Sequence, residues 1–304
     1  MIRPPKSFEP LLSKAVEFKH LDYTNLWMSP KYDGIRAIIR NGQVVSRKLL
    51  PIPNKYVQAC FGNRPELEGY DGELIVGEPN AHDVYSKTYS GVMSQEGECD
   101  LKFFAFDHVT NPLDEYFRRY DRISDNVRGV IKVPQSPVEC VEDLLMFETE
   151  LLEDGYEGVM LRAFQGQNSL YKYGRSTAKS NTLLKLKRLE DFDAQIVGFE
   201  EEMFNGNEAT VDELGRTKRS SHQDNKVGKG TLGAFICSYK NGLTFRVGIF
   251  KGMNAADKQD IWDNKEAFLG QWTKQQKLPI GEKDRPRHPR VIEMLGFRSP
   301  LDMS

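Results

Sequence analysis

The feature that most constrains the fold is a run of short β-like segments near the start of the chain, separated by two-residue turns. Residues 35–40 and 43–47 flank Asn41-Gly42. An Asn-Gly pair favours a tight type I′ hairpin, because both turn positions need a left-handed backbone. A second pair, Asp71-Gly72, precedes the run 73–76 and is predicted to be another turn. This pattern indicates antiparallel sheet.

Similar strand signals alternate with helical ones over the first two thirds of the chain. Apolar residues recur at helical spacing over residues 8–18, which predicts a short amphipathic helix. A longer helix is predicted over residues 141–152, and strands are predicted at 101–107, 158–162 and 183–188. The first domain is therefore predicted to have an α+β fold, with antiparallel sheets and helices.

The pattern changes after Leu189, as expected for a chain of 304 residues, which has room for two domains. Several short strands and one helix, over residues 255–269, are predicted beyond this point. The strands are expected at residues 193–199, 232–239, 243–250 and near Val291. Such a set predicts a small β-barrel, of which the oligonucleotide-binding (OB) fold is a common form.

The composition excludes some classes of function. The net charge is -2, so any binding of nucleic acid must use local basic patches rather than a field of the whole protein. No apolar run is long enough for a membrane span, and the first residues lack the apolar stretch of a signal peptide, which predicts a cytoplasmic protein without a membrane partner. The cysteines and histidines are scattered, which argues against zinc but leaves carboxylate-bound Mg²⁺ open.

A lysine before an Asp-Gly pair, Lys31, opens the predicted hairpin. A type I′ turn at Asn41-Gly42 places Ile39 opposite Val44 and, further along, Arg36 opposite Arg47. Two arginines that face each other destabilise a strand pair unless an anion lies between them, and guanidinium groups suit phosphate oxygens. The pattern therefore predicts a phosphate beside Lys31; the alternative is that both arginines extend into solvent.

Two carboxylates and two lysines form the other candidates for a site. Glu73 and Glu157 each precede a β-like run, where they are either exposed acids or groups that hold Mg²⁺ or a ribose hydroxyl. Lys185 and Lys187 alternate with leucines, so a strand would direct both to one face. That face is either solvated or directed at a triphosphate.

Together these segments resemble a known family. Six stretches, in order and approximate spacing, resemble the successive nucleotidyltransferase motifs of ATP-dependent DNA ligases: Lys31-Tyr32-Asp33-Gly34-Ile35-Arg36, Ser46-Arg47, Asp71-Gly72-Glu73-Leu74, Phe103-Phe104-Ala105-Phe106-Asp107, Glu157-Gly158-Val159-Met160-Leu161-Arg162 and Leu184-Lys185-Leu186-Lys187. Residues 286–290 and 296–298 resemble the last ligase motif. The resemblance spans nearly the whole chain and is greatest to the small ligases of bacteriophages.

The resemblance implies a fold and a reaction. It implies a nucleotidyltransferase (adenylation) domain over residues 1–189 and an OB-fold β-barrel over residues 190–304. Lys31 would attack the α-phosphorus of ATP, expel pyrophosphate and form a lysyl-AMP. The AMP would pass to the 5′-phosphate of nicked double-stranded DNA, and the 3′-hydroxyl would displace it. The implied cofactors are ATP and Mg²⁺ or Mn²⁺, and the implied state is a monomer without an obligate protein partner.

The resemblance also assigns roles to residues. Arg36 and Arg47 would contact ribose and phosphate, and Lys185 and Lys187 would hold the ATP phosphates. Further roles in the first domain would be as follows: Glu73 at the ribose and metal, Glu157 at the metal, Phe106 or alternatively Phe104 stacked on adenine, and a residue near Met28 or Ser29 selective for adenine. Arg162 stands where the family often has lysine.

Basic residues of the second domain are the candidates for contacts with DNA or phosphate. By the resemblance these are Arg287, Arg290 and Arg298. A polar loop over residues 206–230 adds a local basic patch, which is predicted to grip the DNA backbone through Arg216, Lys218, Arg219, Lys226 and Lys229. An RNA ligase, an mRNA-capping guanylyltransferase and a non-catalytic nucleic-acid-binding protein are the alternatives, since a shared fold does not fix the substrate.

Overall fold

A computed structural model describes residues 8–16, 21, 23–186, 190–211, 214, 217–220, 225–239, 242–248, 253–278 and 285–297. The chain divides into two compact units. The first unit contains residues 1–187 and 211–216, and the second contains residues 188–210 and 217–304. No helix in the described ranges is long and apolar enough to cross a membrane.

The described strands and helices follow one another along the chain as β1 (Lys14–Val16), β2 (Leu26–Pro30), β3 (Ile35–Arg40), β4 (Gln43–Ser46), α1 (Lys55–Phe61), β5 (Tyr70–Val76), α2 (Val84–Met93), β6 (Leu101–His108), α3 (Tyr116–Asp121), β7 (Val130–Lys132), β8 (Ser136–Pro137), α4 (Val141–Glu153), β9 (Val159–Ala163), β10 (Leu183–Leu186), β11 (Glu190–Asn205), β12 (Ala209–Val211), β13 (Thr217–Arg219), β14 (Lys226–Ser238), β15 (Thr244–Gly248), α5 (Ala255–Asp263), α6 (Lys265–Phe268), β16 (Trp272–Leu278) and β17 (Arg287–Gly296). Short 3₁₀ helices lie at Pro65–Leu67 and Gln167–Ser169.

Two five-stranded sheets form the first unit. Their strand orders are β1-β10-β9-β2-β8 and β4-β3-β5-β6-β7. The prediction of antiparallel sheets is wrong in detail, because β1 pairs with β10 in parallel and β7 pairs with β6 in parallel. The chain between β6 and β7 contains α3, and such a crossover lets a strand return in the same direction. Both sheets are therefore mixed.

The hairpin of β3 and β4 has the predicted turn. Asn41 and Gly42 have φ values of 52° and 70°, and Ile39 pairs with Val44 as expected. The ladder stops at the pair of Ala37 and Ser46, because the chain turns back at Leu49, whose amide donates to the Ser46 carbonyl at 2.8 Å.

The predicted pairing of Arg36 with Arg47 is therefore wrong. Arg47 lies in the turn that follows β4, where it is exposed. Arg36 instead has Glu73 of β5 as its cross-strand neighbour. Its neighbour is thus an acidic residue, so the arrangement does not need a phosphate to relieve a repulsion between two cations.

The pair Asp71-Gly72, predicted as a turn, lies inside β5, near its start. A Cβ atom on Gly72 would collide with the carbonyl oxygen of Phe104 in the neighbouring strand. The register between β5 and β6 also shifts at this point, which marks a β-bulge. Glycine is needed here because the two backbones approach closely, and Asp71 is fully buried.

The helix predicted over residues 8–18 does not form in the described part of that segment. Residues 8–16 are extended, and Leu12 donates to the Gly174 carbonyl at 2.8 Å and accepts from the Ser176 amide at 2.7 Å. Leu11 is fully buried against the side chains of Ile38 and Tyr171. The apolar residues therefore fill a core at the edge of the sheets rather than one face of a helix.

Helices cover the sheets of the first unit with apolar side chains. Val57 and Phe61 of α1 pack in the core beside β3, β5 and β6. Leu144 and Leu151 of α4 pack against Leu161 and other residues of the β2-β9-β10 sheet. The helix α4 spans residues 141–153, close to the prediction of 141–152.

The second unit contains a closed barrel with the strand order β11-β14-β15-β17-β16. Phe235, Val247 and Ile261 are buried in its core. The helix α5 begins at a capping box, in which Asn254 accepts from the Asp257 amide and Asp257 accepts from the Asn254 amide. The predicted polar loop 206–230 holds a two-stranded sheet of β12 and β13 and the start of the long strand β14.

Candidate active site

A pocket of about 300 Å³ lies in the first unit between its two sheets, at the lower end of the range for small-molecule sites, roughly 300–1,000 Å³. Strands from both sheets supply its walls. Its lining includes most of the residues that the sequence singled out in this unit: Lys31, Arg36, Arg47, Glu73, Phe106 and Lys185. Lys187 lies outside the described residues.

Lys31 follows β2 and is fixed by its own main chain. Its amide donates to the Gly158 carbonyl at 2.9 Å, and its carbonyl accepts from the Glu157 amide at 3.3 Å. Its Nζ atom forms an ion pair with the carboxylate of Glu157. The two side chains are 17% and 11% exposed, so the pair is largely shielded from water but still reachable from the pocket.

Gly34 lets this segment lie against β5. A Cβ atom on Gly34 would stand 2.5 Å from the carbonyl oxygen of Leu74, closer than real Cβ contacts. The Gly34 amide also donates to the carboxylate of Glu73 at 3.2 Å. The glycine after Asp33 therefore brings Lys31 and Glu73 into the same pocket.

The carboxyl group of Glu73 has an unusually high pKa. Burial raises its pKa to about 7, and the positive charge of Lys31 and the amide of Gly34 offset only part of this effect. Near neutral pH the group is therefore divided between its acid and its carboxylate form. In either form its oxygen atoms can meet a hydroxyl group in the pocket.

Arg36 is held by the protein. Two of its nitrogens donate to Asp71, at 2.8 and 2.6 Å, and the third donates to the Leu11 carbonyl at 2.7 Å. Burial alone would lower the pKa of Arg36, but Asp71 outweighs this effect and the pKa lies above its usual range. Tyr171 donates to the same carboxylate at 3.0 Å. Of the two arginines, Arg47, on the exposed turn, lines the pocket without a comparable anchor among the described residues.

The structure separates the two candidate aromatic residues of β6. Phe104 is buried and packs on Tyr32, with 4.7 Å between the ring centroids. Phe106 lines the pocket, with the guanidinium of Arg36 5.2 Å from its ring centroid. Of the two, Phe106 is the ring that a molecule in the pocket can meet.

A buried charge cluster behind Phe106 was not foreseen from the sequence. Asp107 accepts two hydrogen bonds from Arg119, at 2.8 and 3.2 Å, and forms an ion pair with Arg162. Burial acts to raise the pKa of Asp107, but the two arginines outweigh it and hold the pKa well below its usual range. Phe106 and Asp107 belong to one of the motifs found in the sequence. Nothing in the sequence indicates that Arg119, in α3, would pair with Asp107.

One cross-strand row of the other sheet forms the opposite wall. Met160 of β9 lies between Ser29 of β2 and Lys185 of β10 in register. All three line the pocket, whereas Met28 points into the core below α4. Between the two residues proposed for selectivity towards adenine, Ser29 is the one in the pocket.

The candidate residues beyond Leu189 are described only in part. Arg290 donates to the Gln276 side chain at 2.6 and 3.1 Å, and Arg219 bonds to the carbonyl of Asn207. The backbones of Lys218 and Arg287 lie in β13 and β17, and their side chains are not described. Arg216 and Arg298 lie outside the described residues.

The first unit of the chain matches a known protein family. Residues 10–187, more than half of the chain, match the family model of the ATP dependent DNA ligase domain. The chain belongs to the family of ATP-dependent DNA ligases. It is thus a covalent nucleotidyltransferase that uses ATP and seals nicks through a ligase-adenylate.

Solved ligase structures resemble this ligase over almost its full length. The DNA ligase-adenylate of Chlorella virus shares 26% sequence identity, with a TM-score of 0.51 over 96% of this chain and 99% of that chain. A Lig E DNA ligase shares 20% identity, with a TM-score of 0.68 over 95% of this chain and 100% of that chain, and this likeness shows a common fold. No curated protein sequence matches the ligase.

Proposed function

We propose that this ligase forms its adenylate on Lys31. The supporting observation is a pocket lined by a shielded lysine, the carboxylate of Glu73, an aromatic ring and Lys185, with Glu157 paired to that lysine. The Nζ atom of Lys31, after loss of a proton, would form a bond to the α-phosphorus of ATP as the bond to pyrophosphate breaks. The AMP would then pass to the 5′-phosphate at the nick, and the 3′-hydroxyl would displace it.

The pocket residues divide into groups for the base, the sugar and the phosphates. We place adenine between Phe106 and the Ser29–Met160 wall, where the ring of Phe106 supplies a face for stacking. Glu73 would accept from a ribose hydroxyl. Lys185, Lys187 and Arg47 would contact phosphate oxygens, where fixed cations stabilise charge that develops in the transition state. Arg36 would act near the ribose while Asp71 holds it.

Glu73 and Glu157 are the groups that would hold a divalent cation, Mg²⁺ or Mn²⁺. Carboxylate oxygens are the ligands that such hard cations prefer. Across the described ranges no three His, Cys, Asp or Glu side chains gather at one point, so a cation here would take further ligands from ATP and water, as Mg²⁺ usually does. Bound there, it would neutralise charge on the phosphates.

We further propose that the two units correspond to an adenylation domain, residues 1–189, and an OB-fold domain, residues 190–304. The barrel order and the helices between its third and fourth strands agree with an OB-fold, a common platform for nucleic acid. Arg287, Arg290, Arg298 and the patch of Arg216, Lys218 and Arg219 would contact DNA or phosphate. The ligase would act as a monomer on nicked duplex DNA, in replication, recombination or repair in the cytoplasm of a phage-infected cell.

Labelling with ATP tests the site. Incubation with ATP labelled at the α-phosphate should transfer label to the wild type and to Lys172→Ala, which changes an exposed lysine, but not to Lys31→Ala. The label should be released by acid, because the bond is a phosphoramidate. Label that persists on Lys31→Ala would exclude Lys31 as the acceptor.

The substrate requires its own experiment. Purified ligase should seal a 5′-phosphate/3′-hydroxyl nick in duplex DNA faster than the same nick in RNA, and adenylated DNA should accumulate at low pH or with a nick that lacks the 3′-hydroxyl. Faster sealing of RNA would contradict the proposed substrate while leaving the lysyl-AMP step intact.

A further inference from the structure

The strand that carries Phe106 ends in a cluster of buried charges. Asp71 of β5 and Asp107 of β6 lie directly across from each other, and both are fully buried. Two adjacent buried carboxylates are costly unless cations pair with them. Arg36 serves Asp71, and Arg119 and Arg162 share Asp107. Three arginines therefore neutralise the two buried carboxylates behind the pocket.

Arg162 differs from Arg119 in that it also reaches the pocket. It is 5% exposed, lines the pocket, and lies with its guanidinium carbon 5.9 Å from the ring centroid of Phe106. The same carbon is 4.2 Å from the ring centroid of Tyr116. A planar guanidinium can lie flat on an aromatic face while it bonds to a carboxylate, whereas an ammonium group has no plane to stack.

Tyr116 contacts both Phe106 and Arg162. Its hydroxyl donates to the carbonyl oxygen of Phe106 at 2.7 Å, while its ring supports Arg162. Phe106 is thus held in three ways. Tyr116 bonds to its main chain, and the arginines that pair with Asp107 fix the next residue. Arg162 and Arg36 contact its ring. A ring held in this way loses little conformational freedom when a base stacks on it.

We infer that Arg162 is a positioning residue for the nucleotide: it fixes the ring of Phe106 in the orientation that stacks on adenine. This inference rests on the proposed stacking of Phe106. It assigns to Arg162 an action on the base rather than on the phosphates. Its ion pair with Asp107 and its stack on Tyr116 direct the guanidinium towards the protein, which supports this assignment.

The kinetics of the adenylation step distinguish positioning from phosphate contact. In Arg162→Lys the charge stays but the stacked plane is lost, so the KM for ATP should rise about tenfold while kcat changes less than about twofold. The KM for pyrophosphate, measured in the reverse reaction with the lysyl-AMP form, should stay unchanged. A parallel rise in the KM for pyrophosphate would assign Arg162 to the phosphates and overturn the inference.

A double-mutant cycle tests whether Arg162 acts through Phe106. Phe106→Leu should itself raise the KM for ATP, and Arg162→Lys should add less than about twofold in that background. If Phe106→Leu leaves the KM unchanged, the proposed stacking fails. If Phe106→Leu raises the KM but Arg162→Lys does not, or if the two effects multiply in full, the inference about Arg162 fails alone.

Two further variants guard against a loss of folding. Tyr116→Phe removes only the hydroxyl that holds the Phe106 carbonyl, and should raise the KM for ATP about threefold with the same kcat. Arg118→Lys changes an exposed arginine of the same helix and should match the wild type in every measurement. If Arg162→Lys does not fold, Arg162→Gln replaces it, and an unchanged KM for ATP in that variant overturns the inference.

Discussion

Lys31 and Glu157 are joined twice, once through the main chain and once through their side chains. The Glu157 amide donates to the Lys31 carbonyl at 3.3 Å, and the Lys31 ammonium pairs with the Glu157 carboxylate. The main-chain bond keeps the two residues together even when the side chains separate. Since an ammonium has no lone pair, Lys31 has to lose a proton before it can act as a nucleophile.

Replacement of Glu157 should affect both the reaction and the fold. Glu157→Gln keeps the shape and the main-chain bond but removes the charge that pairs with Lys31. We expect adenylation with labelled ATP to slow by roughly 10²-fold or more, and the free energy of unfolding in urea to fall by about 3 kcal/mol, because the largely shielded Lys31 loses its anion. Glu153→Gln, on the exposed side of α4, is the control and should react at the wild-type rate. An equal loss in both variants would contradict this role.

The pair of Arg36 and Asp71 should matter first for stability. Asp71→Asn leaves the guanidinium of Arg36, 14% exposed, without its anion, and should lower the free energy of unfolding by about 3–5 kcal/mol. Asp83→Asn breaks a surface pair with Lys87, 57% exposed, and should leave the free energy of unfolding nearly unchanged. Urea unfolding followed by circular dichroism measures both. A cost for Asp71→Asn as small as that of the surface pair would show that Arg36 does not depend on Asp71.

The sequence predicts local features of this fold better than contacts that depend on distant segments. Asn41-Gly42 encodes its own turn, so the pairing of Ile39 with Val44 follows from local chemistry. The pairing of Arg36 with Arg47 fails because the chain turns at Leu49, a non-glycine residue with φ of 62° that gives no sequence signal. Asp71-Gly72 has the composition of a turn, but a neighbouring backbone requires the glycine and Arg36 requires the aspartate.

The strand β16 was missed for a different reason. Its inward residues, Thr273 and Gln275, are polar and fully buried, so the strand lacks the alternation of apolar and polar residues that predicts a half-buried strand. They bond to each other at 2.8 Å, and Thr273 donates to the Ala194 carbonyl at 3.0 Å. Among the candidate site residues, Lys31, Glu73 and Phe106 line the pocket, whereas the arginines behind Phe106 have partners that only the folded chain brings together.

Gly34 should not tolerate a side chain, because space rather than turn geometry requires it. In Gly34→Ala the new Cβ atom would press on the Leu74 carbonyl, which should cost about 3 kcal/mol of stability and move Lys31 away from Glu73. Gly248→Ala, where a Cβ atom meets nothing within 4 Å, should stay within about 1 kcal/mol of the wild type. Thermal unfolding and ATP labelling of both variants test this. Full labelling of Gly34→Ala would argue against the tight approach.

The raised pKa of Glu73 predicts a dependence of stability on pH. Its value of about 7 in the folded ligase exceeds that of an exposed glutamate, so the folded state binds more protons than the unfolded state between about pH 4.5 and 7. This contribution to stability is complete below about pH 4.5 and is lost as the pH rises through 7. Glu73→Gln cannot ionise, so its stability relative to the wild type should increase by about 1–2 kcal/mol from pH 5 to pH 8. Urea unfolding at both values measures the difference, and a constant offset would contradict the raised pKa.

Ser29 should influence the choice of base. Its side chain lines the pocket next to Met160, and a hydroxyl can accept a hydrogen bond from the amino group of adenine, which guanine lacks at that position. Ser29→Ala should raise the KM for ATP about three- to tenfold with little change in kcat, and should narrow the preference for ATP over GTP by the same factor. Met28→Leu, a change of similar volume in the core, is the control and should leave both nucleotides unaffected. If the preference for ATP over GTP changes in Met28→Leu but not in Ser29→Ala, Ser29 does not select the base.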